Sequence, residues 1–114
     1  MTVEFRRLPV PVFGARYWLV DLSATPATEA LRSLSSDERA RAARFVFDEH
    51  RRRYQIAHGA LRALLGEQLG VEPGALSFAT SPHGKPSLPP EFDCAFNMSH
   101  SDDYALIALA GARA

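Results

Sequence analysis

The most regular pattern in the sequence covers residues 56–69, which read Ile-Ala-His-Gly-Ala-Leu-Arg-Ala-Leu-Leu-Gly-Glu-Gln-Leu. Apolar side chains recur there at three- and four-residue spacing, which places them along one face of a helix. Gly70 follows as a helix-ending glycine, and Pro73 comes shortly after it. With the residues that precede it, the pattern predicts a helix over Glu49–Leu69. Gly59 interrupts the apolar stripe at a cost of roughly 1 kcal/mol relative to alanine, and a glycine there would let another element approach closely.

Two shorter helices are predicted before this long one. Thr25-Pro26 offers a hydroxyl N-cap followed by proline at the first helical position, which predicts a helix reaching about Ser33. Ser35-Ser36-Asp37-Glu38 fits a capping box, in which a serine is answered by a glutamate three residues later. The helix that the capping box opens is expected to run to about Phe45 or Phe47.

Strands are predicted where aromatic, β-branched and other apolar residues concentrate, at Ala15–Leu22, Ala75–Ala79, Cys94–Ser99 and Tyr104–Ala110. The last two are close enough to pair as a hairpin across Ser101-Asp102-Asp103. Residues 81–90 hold four prolines and a glycine, which predicts a constrained loop. The expected fold class is therefore α+β, with two or three helices packed on a small, mainly antiparallel sheet.

Composition excludes several classes of function. The formal net charge is zero, and no basic stripe with interleaved aromatic residues is present, which argues against a nucleic-acid-binding protein. No run approaches the roughly 20 apolar residues that span a membrane, and the opening Met-Thr-Val-Glu-Phe-Arg-Arg lacks the order of a signal peptide. A cytoplasmic location without membrane attachment is the default expectation. Cys94 is the one cysteine, so no internal disulfide can form.

The basic residues are unevenly distributed. Twelve of the thirteen are arginine, and six of these fall between Arg39 and Arg53. An arginine cluster suits phosphate, because the planar guanidinium presents a fixed fork of donors. The alternative is a solvated helix face paired with nearby carboxylates. Within the cluster, Arg53 lies in line with the apolar stripe near a helix start, where the dipole favours an anion by about 0.3–1 kcal/mol. Arg51 and Arg52 lie off the stripe and are expected to face solvent.

The stretch Phe96-Asn97-Met98-Ser99-His100-Ser101 is the most informative for chemistry. On a strand, Asn97 and Ser99 share one face while Phe96 and Met98 take the other. Three interpretations are open: a polar turn between strands, a ligand site formed by Ser99, Ser101 and His100, or a serine nucleophile. The nucleophile is disfavoured because adjacent strand residues point to opposite faces, and no nucleophile-elbow glycine pattern surrounds the serine.

Gly84-Lys85-Pro86 is a second candidate for ligand contact. Glycine permits unusual backbone angles and proline fixes the next residue, so the Lys85 backbone is held rigidly toward a base or a phosphate. An ordinary turn is the alternative. His50, His58 and His83 do not form a metal-ligand spacing with one another or with Cys94. The adjacent pair Asp102-Asp103 is expected to be solvated in a hairpin turn rather than metal-bound.

Taken in order, these motifs resemble those of one family, the Sfp-type 4'-phosphopantetheinyl transferases, over about Ala15 to Ala110. The matching segments are Ser36-Asp37-Glu38-Arg39 with Arg44-Phe45; Arg53 followed by Leu61-Arg62-Ala63-Leu64-Leu65; His83-Gly84-Lys85-Pro86-Ser87-Leu88-Pro89; and Phe96-Asn97-Met98-Ser99-His100-Ser101. Each motif alone is weak, whereas their shared order and spacing are specific.

The resemblance implies an enzyme that moves the phosphopantetheine arm of coenzyme A onto a serine of an acyl or peptidyl carrier protein. Such enzymes consist of two similar α+β halves with coenzyme A in the cleft between them. By position, Arg53 and His100 would contact phosphates of coenzyme A, with the 3'-phosphate favoured. Lys85 and Pro86 would frame the adenine, Ser99 would approach the diphosphate, and Arg41 would add to the phosphate-binding field.

Two further family motifs, Gly-Ile/Val-Asp-x-Glu and Trp-x-x-Lys-Glu-Ala, are absent from the sequence. In the family they supply the Mg2+ carboxylates, the general base and a lysine at the diphosphate. Residues 1–114 are therefore expected to form an N-terminal half whose partner is a missing C-terminal half. Mg2+ would belong to the complete enzyme, and this chain alone would bind coenzyme A weakly and be inactive. The alternative is a non-catalytic binding or assembly module, in which a second copy covers the apolar face meant for the missing half.

Overall fold

The computed structural model describes residues 5–12, 15–23, 28–80, 86–92 and 94–111. The helices are α1 (Thr28–Ser33), α2 (Ser36–Ala43) and α3 (Asp48–Leu69), and the strands are β1 (Phe5–Val12), β2 (Ala15–Asp21), β3 (Ala79–Thr80), β4 (Pro86–Ser87), β5 (Ala95–Ser101) and β6 (Tyr104–Ala110). Short 3-10 turns occupy Pro73–Ala75 and Pro90–Phe92. Within the described residues, four antiparallel strands form the main sheet in the order β1-β2-β6-β5, and β3 pairs with β4. The expected α+β class is confirmed.

The core lies between α3 and one face of the sheet. Alternate residues of β2 and β6 point inward, and they meet the apolar stripe that the sequence predicts for α3. The buried residues in this contact are Trp18, Val20, Ala105, Ile107 and Leu109 from the sheet, with Ile56, Ala57, Ala60, Leu61, Leu64 and Leu65 from the helix.

Local signals set the helix boundaries. Ser35 caps α2, and the reciprocal bonds of the capping box with Glu38 are both formed, as predicted. The helix then ends at Ala43, short of the predicted Phe45 or Phe47. α3 begins one residue before its predicted start and ends at Leu69, where it is capped by Gly70, whose φ of 69° is left-handed. The predicted α1 start at Thr25-Pro26 lies outside the described residues.

Gly59 has the predicted role of permitting close approach. A Cβ atom added there would lie 2.7 Å from the Cβ of Ala30 on α1. That distance is well inside van der Waals contact, so α1 can cross α3 at this point only because residue 59 has no side chain.

β5 and β6 form the predicted hairpin. Ser101 pairs with Tyr104, which leaves Asp102 and Asp103 as a two-residue turn. Asp102 has φ of 50°, a left-handed conformation that aspartate tolerates better than most residues. The observed β5 begins one residue after the predicted strand and ends two residues later.

Two strand predictions need correction. The predicted strand Ala75–Ala79 is wrong, because Pro73–Ala75 form a 3-10 turn and regular pairing is limited to Ala79–Thr80. The carbonyls of Pro73 and Leu76 accept hydrogen bonds from the Arg62 side chain. This segment is therefore held by a side chain, whereas a strand would be held by backbone hydrogen bonds to a neighbouring strand. β1 was not predicted. Its sequence, Phe-Arg-Arg-Leu-Pro-Val-Pro-Val, holds two prolines, which weaken a strand signal and suit the sheet edge where β1 lies.

None of the described helices combines the length and apolarity that crossing a membrane requires.

Candidate functional site

A groove of about 790 Å³ runs between α2, the first half of α3, the segment 76–78 and β5. Three residues that the sequence singles out, Arg41, Pro86 and His100, line it together. They come from α2, β4 and β5, so tertiary folding alone brings them to one place. A cavity of this size matches the usual range for a small-molecule site.

The structure separates the six clustered arginines by their partners. The side chains of Arg41 and Arg44 are exposed, line the groove and make no hydrogen bond or ion pair with any described residue. Arg39 donates to the carbonyls of Leu31, Arg32 and Leu34 at the end of α1. Two guanidinium groups are therefore available to an anion in the groove.

The three arginines of the first turns of α3 are engaged with partners. Arg51 donates to the carbonyls of Ala42 and Phe45 and to Asp48, so its expected solvent-facing role is wrong: it binds the end of α2. Arg52 lies 3.8 Å from the carboxylate of Asp48, and its side chain is 38% exposed. For the arginines of α3, the structure therefore supports the alternative that the sequence left open, in which arginines pair with nearby carboxylates.

Arg53 also binds carboxylates. Its guanidinium lies 3.0 Å from Glu49 and 2.8 Å from Asp103 in the β5–β6 turn. The hydrogen bond to Asp103 raises the pKa of Arg53 above its ordinary value. Arg53 lies outside the groove lining and links α3 to the hairpin that carries His100. Its contact with a phosphate stays a prediction.

β5 shows the predicted alternation of faces. Phe96 and Met98 are partly buried against the core, while Asn97 and Ser99 are exposed. His100 follows the parity of Phe96 and Met98 and lines the groove. Ser99 and His100 therefore point to opposite faces, as the argument against a serine nucleophile requires. Pro86 lines the groove, whereas Lys85 lies outside the described residues.

Glu38 is the most perturbed carboxylate of the groove. Its oxygens accept hydrogen bonds from the Ser35 backbone N–H at 2.8 Å and from Arg62 Nε at 2.7 Å, and one lies 3.4 Å from His58 Nδ1. Burial by itself would raise the pKa of Glu38, but the bonds from His58, Ser35 and Arg62 outweigh burial and lower the pKa to about 2. The carboxylate is therefore ionised at neutral pH.

Arg62 is a buried arginine whose Nε and Nη1 donate hydrogen bonds to other groups of the protein. Its side chain is 2% exposed, and Nη1 donates to the carbonyls of Pro73 and Leu76 at 2.8 Å each. The guanidinium also lies 4.9 Å from the ring centre of Phe78. It is thus a structural cation whose Nε binds a carboxylate and whose Nη1 binds two backbone carbonyls.

Aromatic side chains line much of the groove. Tyr54 stacks on His58 with ring centres 4.0 Å apart and meets Phe45 at 5.5 Å. On the opposite wall Phe78 contacts Phe96 edge to face at 5.7 Å. Burial raises the pKa of Tyr54, with the charge of Glu38 adding to the effect. Flat apolar walls beside free guanidinium groups suit a ligand with a planar ring and phosphate groups.

Sequence reasoning missed most of this wall. In the sequence, Arg44 and Arg62 stand out only as parts of motifs, and the spacing of His58 argues against a metal ligand without predicting its contact with Glu38. Tyr54 follows Arg53 directly, and its position one helical turn before His58 was the available signal. Across the described residues, no three His, Cys, Asp or Glu side chains come together as a metal site.

A family model described as "4'-phosphopantetheinyl transferase, N-terminal" matches residues 23–112. The matched region includes every residue that lines the groove. The chain belongs to the 4'-phosphopantetheinyl transferase family. As a member of this transferase family it corresponds to the N-terminal region, as the order of the sequence motifs predicts.

Curated relatives carry the same family name. The chain is 46% identical over 103 residues to "4'-phosphopantetheinyl transferase HetI" of Nostoc sp., covering 88% of this chain and 40% of the relative. A putative 4'-phosphopantetheinyl transferase of Synechocystis sp. is 37% identical over 107 residues, covering 90% and 41%. "4'-phosphopantetheinyl transferase Sfp" of Bacillus subtilis is 28% identical over 76 residues, covering 67% and 34%. The chain thus spans less than half the length of these transferases.

Proposed function

We propose that this chain forms the coenzyme A-binding half of a 4'-phosphopantetheinyl transferase. The complete enzyme would move the phosphopantetheine arm of coenzyme A onto a serine hydroxyl of an acyl or peptidyl carrier protein. Membership of the family supports the transferase reaction. The observation that carries the coenzyme A assignment is the groove, where the Arg41 and Arg44 side chains lack hydrogen-bond and ion-pair partners among the described residues and His100 lines the same space as several aromatic side chains.

The groove suits the nucleotide end of coenzyme A. Guanidinium groups bind phosphate through parallel N–H donors, so Arg41 and Arg44 are proposed to hold the 3'-phosphate with the His100 imidazole. Pro86 lines the same space and, with Lys85, is proposed to frame the adenine. The planar base would then lie along apolar and aromatic walls.

The two other predicted contacts need the ligand to extend beyond the groove. Ser99 lies on the exposed face of β5, which is one of the two edge strands of the described sheet. A diphosphate passing that edge would reach the Ser99 hydroxyl. To bind a phosphate, the Arg53 guanidinium would have to give up its ion pair with Asp103. We therefore propose that Arg53 makes a weaker phosphate contact than Arg41 and Arg44, at the end of the site.

Magnesium is proposed for the complete enzyme only. No three His, Cys, Asp or Glu side chains come together within the described residues, and we propose no metal-dependent step for them. The role proposed for its own residues is to bind coenzyme A and to hold its nucleotide in place. The Mg2+ carboxylates and much of the carrier-protein surface would come from a C-terminal half.

Intact-protein mass spectrometry tests the proposal. An apo carrier protein is incubated with coenzyme A, magnesium and this chain, with and without the separately expressed C-terminal half of a related transferase. A gain of one phosphopantetheine mass only when both halves are present is the expected result. A gain with this chain alone would contradict the assignment of the metal ligands to the other half.

A paired variant makes the test specific to the groove. Arg41→Ala combined with Arg44→Ala should abolish or strongly slow the modification, whereas Arg52→Ala, which removes a nearby arginine outside the groove, should leave it unchanged. If no mixture modifies the carrier and direct titration detects no coenzyme A binding, the coenzyme A assignment fails. The alternative of a non-catalytic module that pairs with a second copy then gains support, and sedimentation of the chain would report that pairing.

A further inference from the structure

The helix that carries the free arginines has little apolar anchorage. α2 buries only Ala42, and one methyl group removes little apolar surface from water. Arg41 and Arg44 extend from the exposed side of this helix into the groove. Something other than hydrophobic packing must therefore fix where these two guanidinium groups lie.

Glu38 supplies a polar anchor for α2. Its carboxylate is 11% exposed and meets two side chains of α3, Arg62 at 2.7 Å and His58 at 3.4 Å. Glu38 precedes Arg41 by three residues, so both stand on neighbouring positions of one helical face. A shift or rotation of α2 that breaks the Glu38 contacts would move Arg41 as well.

Arg62 ties the same anchor to the other groove walls. It binds the carbonyls of Pro73 and Leu76 and faces the Phe78 ring, and Phe78 in turn contacts Phe96 of β5. One buried guanidinium thus connects α2, α3, the segment 76–78 and β5. These four elements are the walls of the groove.

We propose that Glu38, held by Arg62 and His58, is a positioning residue that fixes α2 so that Arg41 and Arg44 face a phosphate-bearing ligand. The inference rests on the proposed function of the groove. It assigns Glu38 no contact with the ligand. The effect passes through the orientation of α2.

Simple electrostatics predicts the opposite sign for this residue. Glu38 places a negative charge on the lining of a groove that is proposed to bind phosphate, so its neutralisation should strengthen anion binding if charge alone mattered. Positioning predicts weaker binding, because Glu38→Gln leaves the buried Arg62 without its carboxylate. Asp37 offers the matched control: it is the adjacent residue, it lines the same groove, and it is exposed with no partner among the described residues.

The experiment compares Glu38→Gln, His58→Gln and Asp37→Asn with the unchanged chain. The probe is adenosine 3',5'-bisphosphate, the nucleotide portion of coenzyme A, titrated calorimetrically, and amide hydrogen exchange of α2 and α3 is followed by NMR. His58→Gln removes the imidazole contact of Glu38 and keeps the ionised Glu38–Arg62 pair. It can therefore replace Glu38→Gln in the test if that variant does not fold.

The expected result for Glu38→Gln is affinity reduced about fivefold or more, with faster exchange confined to α2. His58→Gln should show the same pattern more weakly, and Asp37→Asn should bind as tightly as the unchanged chain or more tightly. Equal or tighter binding by Glu38→Gln would overturn the inference, as would a uniform acceleration of exchange in α2 and α3.

Failure of the proposed function gives a different signature. If the unchanged chain does not bind the probe, the nucleotide assignment of the groove fails, and the exchange data still decide whether Glu38 anchors α2. Selective acceleration in α2 then supports the anchor, and wild-type exchange in Glu38→Gln refutes it.

Discussion

Arg62 and Arg53 of α3 each form an ion pair with another element, and the two pairs have nearly the same geometry in different surroundings. Arg62 meets Glu38 of α2 at 2.7 Å, and Arg53 meets Asp103 of the β5–β6 turn at 2.8 Å. The side chains of the first pair are 2% and 11% exposed, whereas those of the second are 24% and 52% exposed. Distance alone would rank the two contacts as equal.

Burial separates their energetic roles. An exposed pair is screened by water and salt and typically contributes 1 kcal/mol or less. In a buried pair, loss of one partner leaves an uncompensated charge away from water, which costs far more. Arg41 and Arg44 form a third group, because they are exposed and lack a partner among the described residues. The comparison predicts that Arg62 and Arg53, although equally close to their carboxylates, contribute very differently to the stability of the fold. It also predicts that Arg41 and Arg44 affect ligand binding rather than stability.

The largest expected effect is on stability, from Arg62→Met. Removal of the buried guanidinium leaves the Glu38 carboxylate and two backbone carbonyls without their donor, which should lower the free energy of unfolding by about 3–5 kcal/mol. Urea unfolding followed by circular dichroism measures the change. Arg53→Met is the matched control and should lose far less stability, because its ion pair is partly exposed to water and salt. Similar losses in the two variants would break the comparison.

The second-largest expected effect is the loss, at acid pH, of the contribution that the Glu38 carboxylate makes to the free energy of unfolding. Its folded-state pKa of about 2 lies below its ordinary value of 4.5, so the unfolded chain binds the proton first. The stabilisation is complete above pH about 4.5 and is lost as pH falls toward 2, with a full size of about 3 kcal/mol. Unfolding free energies at several pH values should show this decline in the unchanged chain and a smaller one in Glu38→Gln. Parallel curves would show that the Glu38 carboxylate is not coupled to the fold.

The groove arginines should change affinity with little change in stability. A hydrogen bond to a charged group contributes about 1.5–3 kcal/mol, so Arg41→Ala or Arg44→Ala should weaken coenzyme A binding by about ten- to a hundredfold. Neither substitution removes a hydrogen bond or an ion pair with a described residue, so the urea midpoint should stay nearly constant. Arg52→Ala is the control for loss of positive charge. If it weakens binding as much as the groove variants, a diffuse field rather than the groove holds the ligand.

The smallest expected effect comes from Asp103→Asn. Because the Arg53–Asp103 pair is partly exposed, its loss should lower stability by about 0.2–1 kcal/mol, and added salt should reduce the difference. The same variant tests the predicted phosphate contact of Arg53. If a phosphate competes with Asp103 for this guanidinium, Asp103→Asn should bind coenzyme A more tightly than the unchanged chain. Unchanged affinity would leave Arg53 as a link between α3 and the hairpin.

Features encoded by neighbouring residues were predictable from the sequence. The capping box at Ser35, the apolar stripe of α3, the helix-ending Gly70 and the β5–β6 hairpin each depend on spacings of four residues or fewer. Backbone geometry makes such spacings informative, because a helix repeats every 3.6 residues and a strand every two. The faces of Ser99 and His100 followed from the same rule.

Features that depend on distant contacts were not predictable in the same way. Residues 75–79 have strand-like composition, but the Arg62 side chain binds the carbonyls of Pro73 and Leu76 and so orders part of the segment without a ladder. β1 was missed because its prolines weaken a strand signal and its pairing with β2 is decided by the sheet.

The sequence by itself determined the family, the α+β class and the helices and hairpin that carry Arg41, Arg53, Ser99 and His100, because these rest on local spacing and on the order of motifs. Only the tertiary structure decided what each arginine does. Three arginines that are close in the sequence have different surroundings: Arg39 binds carbonyls at the end of α1, whereas Arg41 and Arg44 line the groove. Whether a guanidinium meets a carbonyl, a carboxylate or an open groove depends on residues far along the chain. Burial, which sets the strength of each charge interaction, exists only after those distant residues have packed together.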